Sequence, residues 1–367
     1  MTRYKLGEIV LKIMDFRGKT PKKLGMNWTE NNKDILAISA KNVKNGKLIN
    51  LDKAHYGNEE LYKKWMKEGN IKKGDLLLTS EAPLGESFLI SEPFKAIISQ
   101  RIFLLRPNPE IIDSWYFYLL STTSIFKKKL QERATGTTVL GIKQKELLKI
   151  EVDIPNLKKQ KEIVKKIRPI ILKSELNEKI NTNLFELANI IFQQSFNCNG
   201  NIPLSHYFLP KRGKNLLKKN VEPGAVPVVA GGLKPAAYHN ISNTETPVIT
   251  ISASGANAGY VQIWGQKVWS SDSSYIDSSI TDNIYFWYIF LKSRQKQIFD
   301  AQTGSAQPHI YPKHIGNLLI SELDEEQVQS FNKKVTPIFE KIFQNQRNNS
   351  VMEDVKNSLL YKFFNDY

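Results

Sequence analysis

The sequence has little of what disulfide-bonded, zinc-binding and membrane proteins require. Its 367 residues include a single cysteine, Cys198, so no internal disulfide can form, and no cluster of cysteine and histidine has the spacing of a zinc site. No run approaches the roughly 18 consecutive apolar residues that a membrane-spanning helix needs. These absences exclude zinc and disulfide chemistry, and they predict a cytoplasmic protein with no membrane partner.

Motifs of catalytic chemistry are missing as well. The run SASGANAG at 252–259 lacks the Lys-Ser/Thr ending of a phosphate-binding loop, and no GxGxxG occurs, so a hairpin turn is the better prediction for this run. The Asn/Asp-Pro-Pro-aromatic motif of DNA methylation is absent. The five histidines show no Ser–His–Asp or paired-carboxylate pattern. The sequence therefore predicts no catalytic residue, no metal site and no cofactor bound by this chain.

Positive charge is what the sequence has in excess. Lys and Arg number 52 against 36 Asp and Glu, which gives a net charge of +16 and a pI near 9.5. Such a charge favours a polyanion as partner, although a lysine-rich composition would give the same excess. With 41% hydrophobic residues the chain can bury packed cores, and its length suits two domains. Nucleic acid is the partner that this composition favours.

The chain repeats itself at a separation of 168 residues. Thr135-Gly136 recurs as Thr303-Gly304, and Pro169-Ile170 recurs as Pro337-Ile338. The two copies align without a gap from a glycine-containing loop into a long helical segment. Such a repeat predicts pseudo-twofold symmetry and a partner that itself has two halves.

Each copy ends in a segment of about 40 residues that is predicted to be one long helix, 157–196 and 325–364. Apolar residues recur at steps of three and four, and the middle of this heptad seam is polar in both copies. Its asparagines are Asn177, Asn181, Asn345 and Asn349. If the helices run antiparallel, these amides meet at the centre and fix the register; the alternative is that they face solvent. A proline in each segment predicts a kink or a broken first turn.

The segments that precede the helices are predicted to be mixed α/β domains. Strands are predicted in the β-branched runs, and a buried helix in each aromatic run. The predicted strands are 34–39, 74–80, 96–105, 226–232 and 247–255, and the predicted buried helices are 115–120 and 286–291. The first copy carries extra residues at roughly 25–70. The fold class is therefore α/β (α+β): two tandem domains, each followed by a long helix, with the helices packed as an antiparallel coiled coil.

Candidate contacts with a polyanion lie in two features that occur in both copies, an Arg-Gly-Lys turn and a glycine loop followed by Ile and Lys. Arg reads guanine edges, Lys holds phosphate, and loop amides and hydroxyls approach phosphate closely. Taken singly, these residues are more often solvated charges, and the loops could be helix-capping turns. The candidate DNA-binding residues are Arg17, Lys19, Lys22, Lys41, Arg101, Thr137, Lys143, Lys145, Lys211, Arg212, Lys214, Ser305 and Lys313.

Several runs, in this order along the chain, resemble the specificity subunits of type I restriction-modification systems. They are KLGEIV at 5–10, FRGKTP at 16–21, SQRIFLLRP at 99–107, TGTTVLGIKQKELLKIEVDIP at 135–155, LKKQKEIVKKI at 157–167 and TGSAQPHI at 303–310. The resemblance implies two target-recognition domains, 1–155 and 199–323. It also implies two conserved antiparallel helices, in segments 156–198 and 324–367.

By this resemblance each domain reads one half of a bipartite, asymmetric site in double-stranded DNA. The helices set the length of the unread spacer and dock two modification (methyltransferase) subunits, and restriction subunits complete the assembly. S-adenosylmethionine, ATP and Mg are then expected on the partner subunits, and this chain catalyses nothing. The alternatives are a DNA-binding subunit of a related type II-like restriction-modification enzyme, a fused methyltransferase/nuclease, and a coiled-coil scaffold that binds RNA or protein.

Overall fold

The structure is a computed structural model that describes residues 1–304 and 307–365. The chain divides into two compact units. The first consists of Met1–Lys173 together with residues from Met352 onward, and the second of Ser174–Val351. Among the described residues, none of the helices combines the length and the apolar character needed to cross a membrane.

The first domain is a set of small sheets with short helices packed on them. Its strands are β1 (Thr2–Lys5), β2 (Val10–Asp15), β3 (Ile35–Ile38), β4 (Val43–Lys44), β5 (Lys47–Leu48), β6 (His55–Gly57), β7 (Leu76–Thr79), β8 (Ser87–Leu89), β9 (Ala96–Ile98), β10 (Ile102–Pro107) and β11 (Glu151–Ile154). Its helices are α1 (Leu6–Ile9), α2 (Glu59–Trp65), α3 (Ser114–Thr122), α4 (Ser124–Glu132) and α5 (Gln144–Leu147). The long helix α6 (Leu157–Ser195) follows.

The second domain replays this order in fewer residues. Its strands are β12 (Ile202–Pro203), β13 (Lys211–Arg212), β14 (Val226–Val229), β15 (Ala237–His239), β16 (Val248–Ser252), β17 (Val261–Trp264), β18 (Trp269–Ser270), β19 (Ser273–Asp277) and β20 (Leu319–Ile320). Its helices are α7 (Ile284–Ser293), α8 (Gln295–Asp300) and α9 (Pro312–Gly316), and the long helix α10 (Glu325–Asn365) follows.

The two domains share one strand topology. The antiparallel sheet β2-β10-β7-β8 has its counterpart in β13-β19-β16-β17, and the mixed sheet β6-β3-β9 in β15-β14-β18. In each domain the first strand along the chain pairs with the last, β1 with β11 and β12 with β20. This pairing brings the two ends of each domain together. The hairpin β4-β5 and helix α2 occupy 43–65 in the first domain. They account for the extra residues predicted at roughly 25–70.

Apolar patterning explains where the cores form. The aromatic helices α3 and α7 are buried as predicted, because aromatic and aliphatic residues surround most of each helix rather than one face. In the first unit, α3 packs in a core that also contains Ile163 and Ile167 of α6 and Phe363 of α10. In the second unit, α7 packs with Phe192 of α6 and Phe339 of α10. The long helices are therefore part of both cores.

One predicted strand is wrong as a single element. The run 96–105 forms two strands, β9 and β10, which belong to different sheets. Between them Arg101 has a φ of 63°, in the left-handed region. Because a β-strand requires a negative φ, this residue turns the chain from one sheet to the other. The other four predicted strands and both aromatic helices are confirmed, with ends shifted by up to three residues.

Both prolines lie inside continuous helices. Pro169 is within α6 and Pro337 within α10, so neither marks a broken first turn, and that alternative is wrong. The observed helix bounds differ from the predicted 157–196 and 325–364 by one residue each.

The seam asparagines pair across the two helices within the second unit. Asn177 Nδ2 donates to Asn349 Oδ1 at 2.8 Å, and Asn345 Nδ2 donates to Asn181 Oδ1 at 2.8 Å. Moving forward along one helix therefore moves backward along the other, so the helices run antiparallel here. Asn177 and Asn345 are 2% and 3% exposed, which excludes the solvent-facing alternative for these two residues. A shifted register would leave buried amides without partners.

Candidate nucleic-acid interface

The glycine loop of the first domain is closed by its own backbone. The amides of Thr135 and Gly141 donate to each other's carbonyls at 2.8 and 2.9 Å, which leaves 136–140 as a protruding tip. Gly136 has a φ of 121°, and a Cβ there would lie 2.2 Å from the Val139 carbonyl oxygen. Only glycine therefore fits the bend. The tip exposes Thr137 together with two apolar side chains, Val139 and Leu140.

The second domain closes its loop in the same way, 168 residues later. Thr303 and His309 exchange backbone hydrogen bonds of 3.0 and 2.8 Å, and Gly304 has a φ of 95°. The sequence repeat is therefore matched by the same backbone hydrogen bonds at the loop ends and by a positive φ at both glycines. The candidate Ser305 lies outside the described residues.

Each glycine loop is attached to a hairpin of the main antiparallel sheet. The Ile142 amide donates to the Ser80 carbonyl at 2.9 Å, and the Ile310 amide donates to the Ala253 carbonyl at 2.9 Å. Ser80 lies in the β7–β8 hairpin and Ala253 in the β16–β17 hairpin, which confirms a hairpin at SASGANAG. Each domain thus has a hairpin and a glycine loop joined side by side, and we call this place the junction.

An ion pair lies beside this junction in both domains, with the charges contributed differently. In the first domain Arg101 Nε lies 2.9 Å from Glu81 Oε1. In the second, Arg212 Nη2 donates to Asp272 Oδ1 at 3.0 Å. The Ser80 amide donates to the Arg101 carbonyl, just as the Ala253 amide donates to the Asp272 carbonyl. The position that is arginine in one domain is therefore aspartate in the other.

Arg17 ties the glycine loop to strand β2. Its Nε and Nη2 donate to the two carboxylate oxygens of Asp15 at 2.7 and 2.5 Å, and its Nη1 donates to the Ile142 carbonyl at 2.9 Å. The guanidinium also lies over the Phe103 ring, 4.2 Å from its centroid. These contacts give Arg17 a structural role in the protein without DNA, and a DNA contact by this residue stays a prediction.

The Arg-Gly-Lys turns are not equivalent positions, so the expectation that they are counterparts is wrong. Ile102 pairs with Thr79, and Ser273 pairs with Ser252, which sets the correspondence between the main sheets. By that register Arg212, opposite Ser274, corresponds to Asp15, opposite Phe103. The sequence motif is thus displaced by two residues. Local tripeptide similarity did not reveal this, because register is fixed by pairing with distant strands.

The remaining candidates differ in whether their contacts link them to the junction. Lys19 Nζ donates to the Trp65 carbonyl at 2.9 Å and lies over the Phe16 ring, so it anchors the turn. Lys41 follows Ala40, whose amide donates to the Gln100 carbonyl beside Arg101. The six further lysine candidates are all exposed: Lys22, Lys143, Lys145, Lys211, Lys214 and Lys313. Of these, Lys211 Nζ donates to Ser279 Oγ at 2.9 Å.

Beside the second loop, Lys313 supplies more positive charge than its neighbour His314. Partial burial and then the charge of Lys313 lower the pKa of His314 below its usual value of 6.5. His314 is therefore mainly uncharged at neutral pH. Lys313 corresponds to Lys145, so both domains place one exposed lysine at the same point after the loop.

Metal binding finds no support in the described ranges 1–304 and 307–365, where no group of three or more His, Cys, Asp or Glu could hold an ion. The junction contains backbone amides, hydroxyls and arginines, together with the carboxylates Glu81 and Asp272 that pair with the arginines. Amides, hydroxyls and arginines are groups that bind anions and read base edges.

Comparison with known families decides what this repeated arrangement belongs to. The model of the type I restriction modification DNA specificity domain matches residues 1–186, which is just over half of the chain. The chain belongs to this family. The residues that match the family model comprise the first domain and most of α6. The second domain has the same strand topology.

Relatives of this specificity family extend the likeness over the whole chain. The type I restriction enzyme MjaIX specificity subunit of Methanocaldococcus jannaschii is 23% identical over 384 residues, covering 90% of this chain and 85% of that subunit. The HindI specificity subunit of Haemophilus influenzae is 28% identical over 131 residues, or 34% of this chain and 28% of that subunit. The crystal structure of the S subunit from M. genitalium has a TM-score of 0.63 at 18% identity, covering 99% of this chain and 96% of that one. The TM-score shows that the two chains share a fold, although few of their residues are identical.

Two residues of this junction were not anticipated from the sequence, the carboxylates Glu81 and Asp272. Each holds an arginine, yet neither belongs to a motif, and they occupy non-equivalent positions in the two domains. The contact of Glu81 with Arg101 and that of Asp272 with Arg212 depend on strand register. No local sequence signal could have identified them.

Replacing Arg17 with alanine should destabilise the first unit by about 1.5–3 kcal/mol, because the variant loses charge-assisted hydrogen bonds to Asp15 and Ile142. Local hydrogen exchange of loop 134–142 should accelerate, while peptides of 199–323 keep their rates. Lys22→Ala is the matched control: it removes an exposed positive charge from the same domain and should leave exchange unchanged. Equal exchange in the Arg17 variant and the wild type would contradict the anchoring role.

Proposed function

We propose that this chain is the DNA sequence-recognition subunit of a type I restriction-modification complex, and that each domain reads one half of a bipartite, asymmetric site in double-stranded DNA. Family membership supports the role in specificity. The observation that carries the two-half reading is the pair of junctions, which share backbone geometry but carry different side chains, Arg101 in one domain and Asp272 in the other. A common scaffold with divergent exposed groups suits two different base sequences.

The same proposal assigns the chemistry to partner subunits. Methyl transfer to adenine from S-adenosylmethionine and ATP- and Mg-dependent cleavage would be carried out by the modification and restriction subunits, in the cytoplasm. This chain would supply positioning and sequence choice without catalysis. Its basic charge favours association with the duplex and makes the non-specific part of binding fall steeply with salt.

The long helices are proposed to dock the two modification subunits and to fix the spacer. Within the second unit, α6 exposes Leu176, Leu187 and Ile190, at 50%, 47% and 50% of their surfaces. Within the first unit, α10 exposes Val355 and Tyr361, at 44% and 64%. Apolar side chains on helices already packed along another face suit a protein partner. The same partner bound once to each helix would use related surfaces twice.

The proposal is tested by expressing the chain with its modification subunits and sequencing methylated adenines genome-wide. We expect one motif with two specified halves and an unspecified spacer, and no methylation when either the chain or the modification subunit is omitted. Methyl transfer by the purified chain alone would favour a fused methyltransferase. Equal binding of RNA and duplex DNA across a salt series would instead favour a nucleic-acid scaffold.

A further inference from the structure

Arg101 adopts a backbone conformation that arginine disfavours. Its φ of 63° is left-handed, where the Cβ of an ordinary residue crowds the backbone, and glycine would occupy this turn without strain. Half of its side chain is exposed, at 52%. A strained, exposed arginine at the junction of a hairpin and a glycine loop indicates a functional demand on its side chain, because the turn itself does not need it.

Glu81 fixes the direction of the Arg101 side chain. The ion pair joins Glu81 Oε1 to Arg101 Nε at 2.9 Å. Glu81 in turn lies against the glycine loop, where a Cβ on Gly141 would come within 3.0 Å of Glu81 Oε2 and 3.2 Å of Glu81 Cβ. The absence of a side chain at Gly141 therefore leaves room for the carboxylate. The arginine is held by a group that is itself packed.

The second domain also has an arginine paired with a carboxylate at its junction, but the two charges come from different positions. Here Arg212, on β13, meets Asp272, which also accepts a hydrogen bond from the Ser254 hydroxyl. By strand register Asp272 corresponds to Arg101 and Ser254 to Glu81. Although each position has changed its residue type, a carboxylate-held arginine is present in both domains. Its recurrence through different residues argues against an incidental surface pair.

We propose that Arg101 and Arg212 each read a guanine in the half-site of their own domain, and that Glu81 and Asp272 are positioning residues that orient the two guanidinium groups. This inference rests on the function proposed above. Arginine suits guanine because two of its nitrogens meet O6 and N7 in the major groove. An arginine oriented before binding loses less side-chain freedom on contact with the matching base than a free one. The negative charge of the carboxylate meanwhile opposes binding to any duplex, so its net effect favours discrimination over general affinity.

The test for the first domain uses the complex with modification subunits and a set of duplexes carrying every base-pair substitution in the site. Arg101→Gly keeps the left-handed turn and removes the side chain, so folding is preserved. We expect discrimination at one G·C pair of one half-site to fall about 10- to 100-fold, with the other half-site unchanged. Lys73→Gln is the matched control, since Lys73 is an exposed cation paired with Glu92 in the same domain. It should lower affinity for all duplexes alike.

Glu81→Gln separates positioning from simple charge. Removing a negative charge should raise affinity for random duplex, whereas loss of positioning should lower discrimination at the same G·C pair that depends on Arg101. The double variant Arg101→Gly/Glu81→Gln should discriminate no worse at that pair than Arg101→Gly alone. Glu92→Gln, the matched control, should leave discrimination unchanged. Asp272→Asn and Arg212→Ala should give the same pattern in the other half-site.

Three outcomes would overturn the inference. Full discrimination at every base pair by Arg101→Gly would remove Arg101 from base reading while the proposed function stands. A uniform rise in affinity for all duplexes by Glu81→Gln, without a change in discrimination, would reduce Glu81 to a surface charge. Lack of any sequence preference in the wild-type complex would defeat the proposed function itself, and the inference with it.

Discussion

Inserting four residues into both long helices, between Lys173 and Ser174 and between Val351 and Met352, should lengthen the unread spacer of the DNA site while both half-site sequences persist. Four helical residues add about 6 Å, which corresponds to roughly two base pairs at 3.4 Å each. The insertions lie at the boundary between the two compact units in both helices, so each unit keeps its own core. Methylome sequencing reads the motif directly.

Single insertions provide the control for this result. Four residues added to α6 alone displace its seam against that of α10 on one side of the insertion, so impaired folding or assembly is expected. The asparagine pairs lie wholly within the second unit and should survive the double insertion. A methylated motif with an unchanged spacer and both half-sites intact would reject the helices as a ruler.

Replacing Arg106 with methionine should destabilise the first unit by about 3–5 kcal/mol, because it leaves the buried Asp75 carboxylate without its charged partner. Arg106 Nε and Nη2 donate to the two Asp75 oxygens at 2.8 Å each, and Asp75 is 1% exposed. Hydrogen bonding to Asp75 raises the pKa of Arg106 above its usual value. The pair joins β10 to the residue just before β7, so its loss should accelerate hydrogen exchange across the main sheet.

The matched control is Arg3→Met, since Arg3 pairs with Asp153 at the surface, with side chains 67% and 39% exposed. Solvent screens such pairs, so exchange in the first unit should change little. Exchange in residues 199–323 should be unaffected by either variant. Similar exchange in the Arg106 and Arg3 variants would show that burial does not strengthen the Asp75–Arg106 pair.

The long helices and the glycine loops were predicted closely because their signals are local. Heptad spacing predicted α6 and α10 to within one residue at each end. Pairing of Asn177 with Asn349 follows once the helices are antiparallel, and the structure has this arrangement. The loops repeat because a positive φ at Gly136 and Gly304 requires the same residue in both copies.

The candidate reading residues were predicted less well because strand register is not local. The Arg-Gly-Lys tripeptides align in sequence, yet their pairing with β10 and β19 places them two residues apart. In addition, Gly18 serves a positive φ of 82° in open space, whereas Gly213 lies where a Cβ would come within 2.5 Å of the Ser270 carbonyl oxygen. The same Arg-Gly-Lys tripeptide therefore meets different structural constraints in the two domains. The prediction of one strand at 96–105, where β9 and β10 belong to different sheets, was wrong for a similar reason.

By itself the sequence determined the two-domain organisation, the helix pair and the repeated glycine loops, since composition, periodicity and the 168-residue repeat encode these features along the chain. Several short runs carried the resemblance to a specificity family. Tertiary structure alone decided which side chains meet beside the loops. Glu81 is 20 residues from Arg101, and Asp272 is 60 residues from Arg212, and pairing between β-strands brings each pair together. Contacts between distant residues depend on register, which a hydrophobic pattern restricts but does not specify at exposed positions.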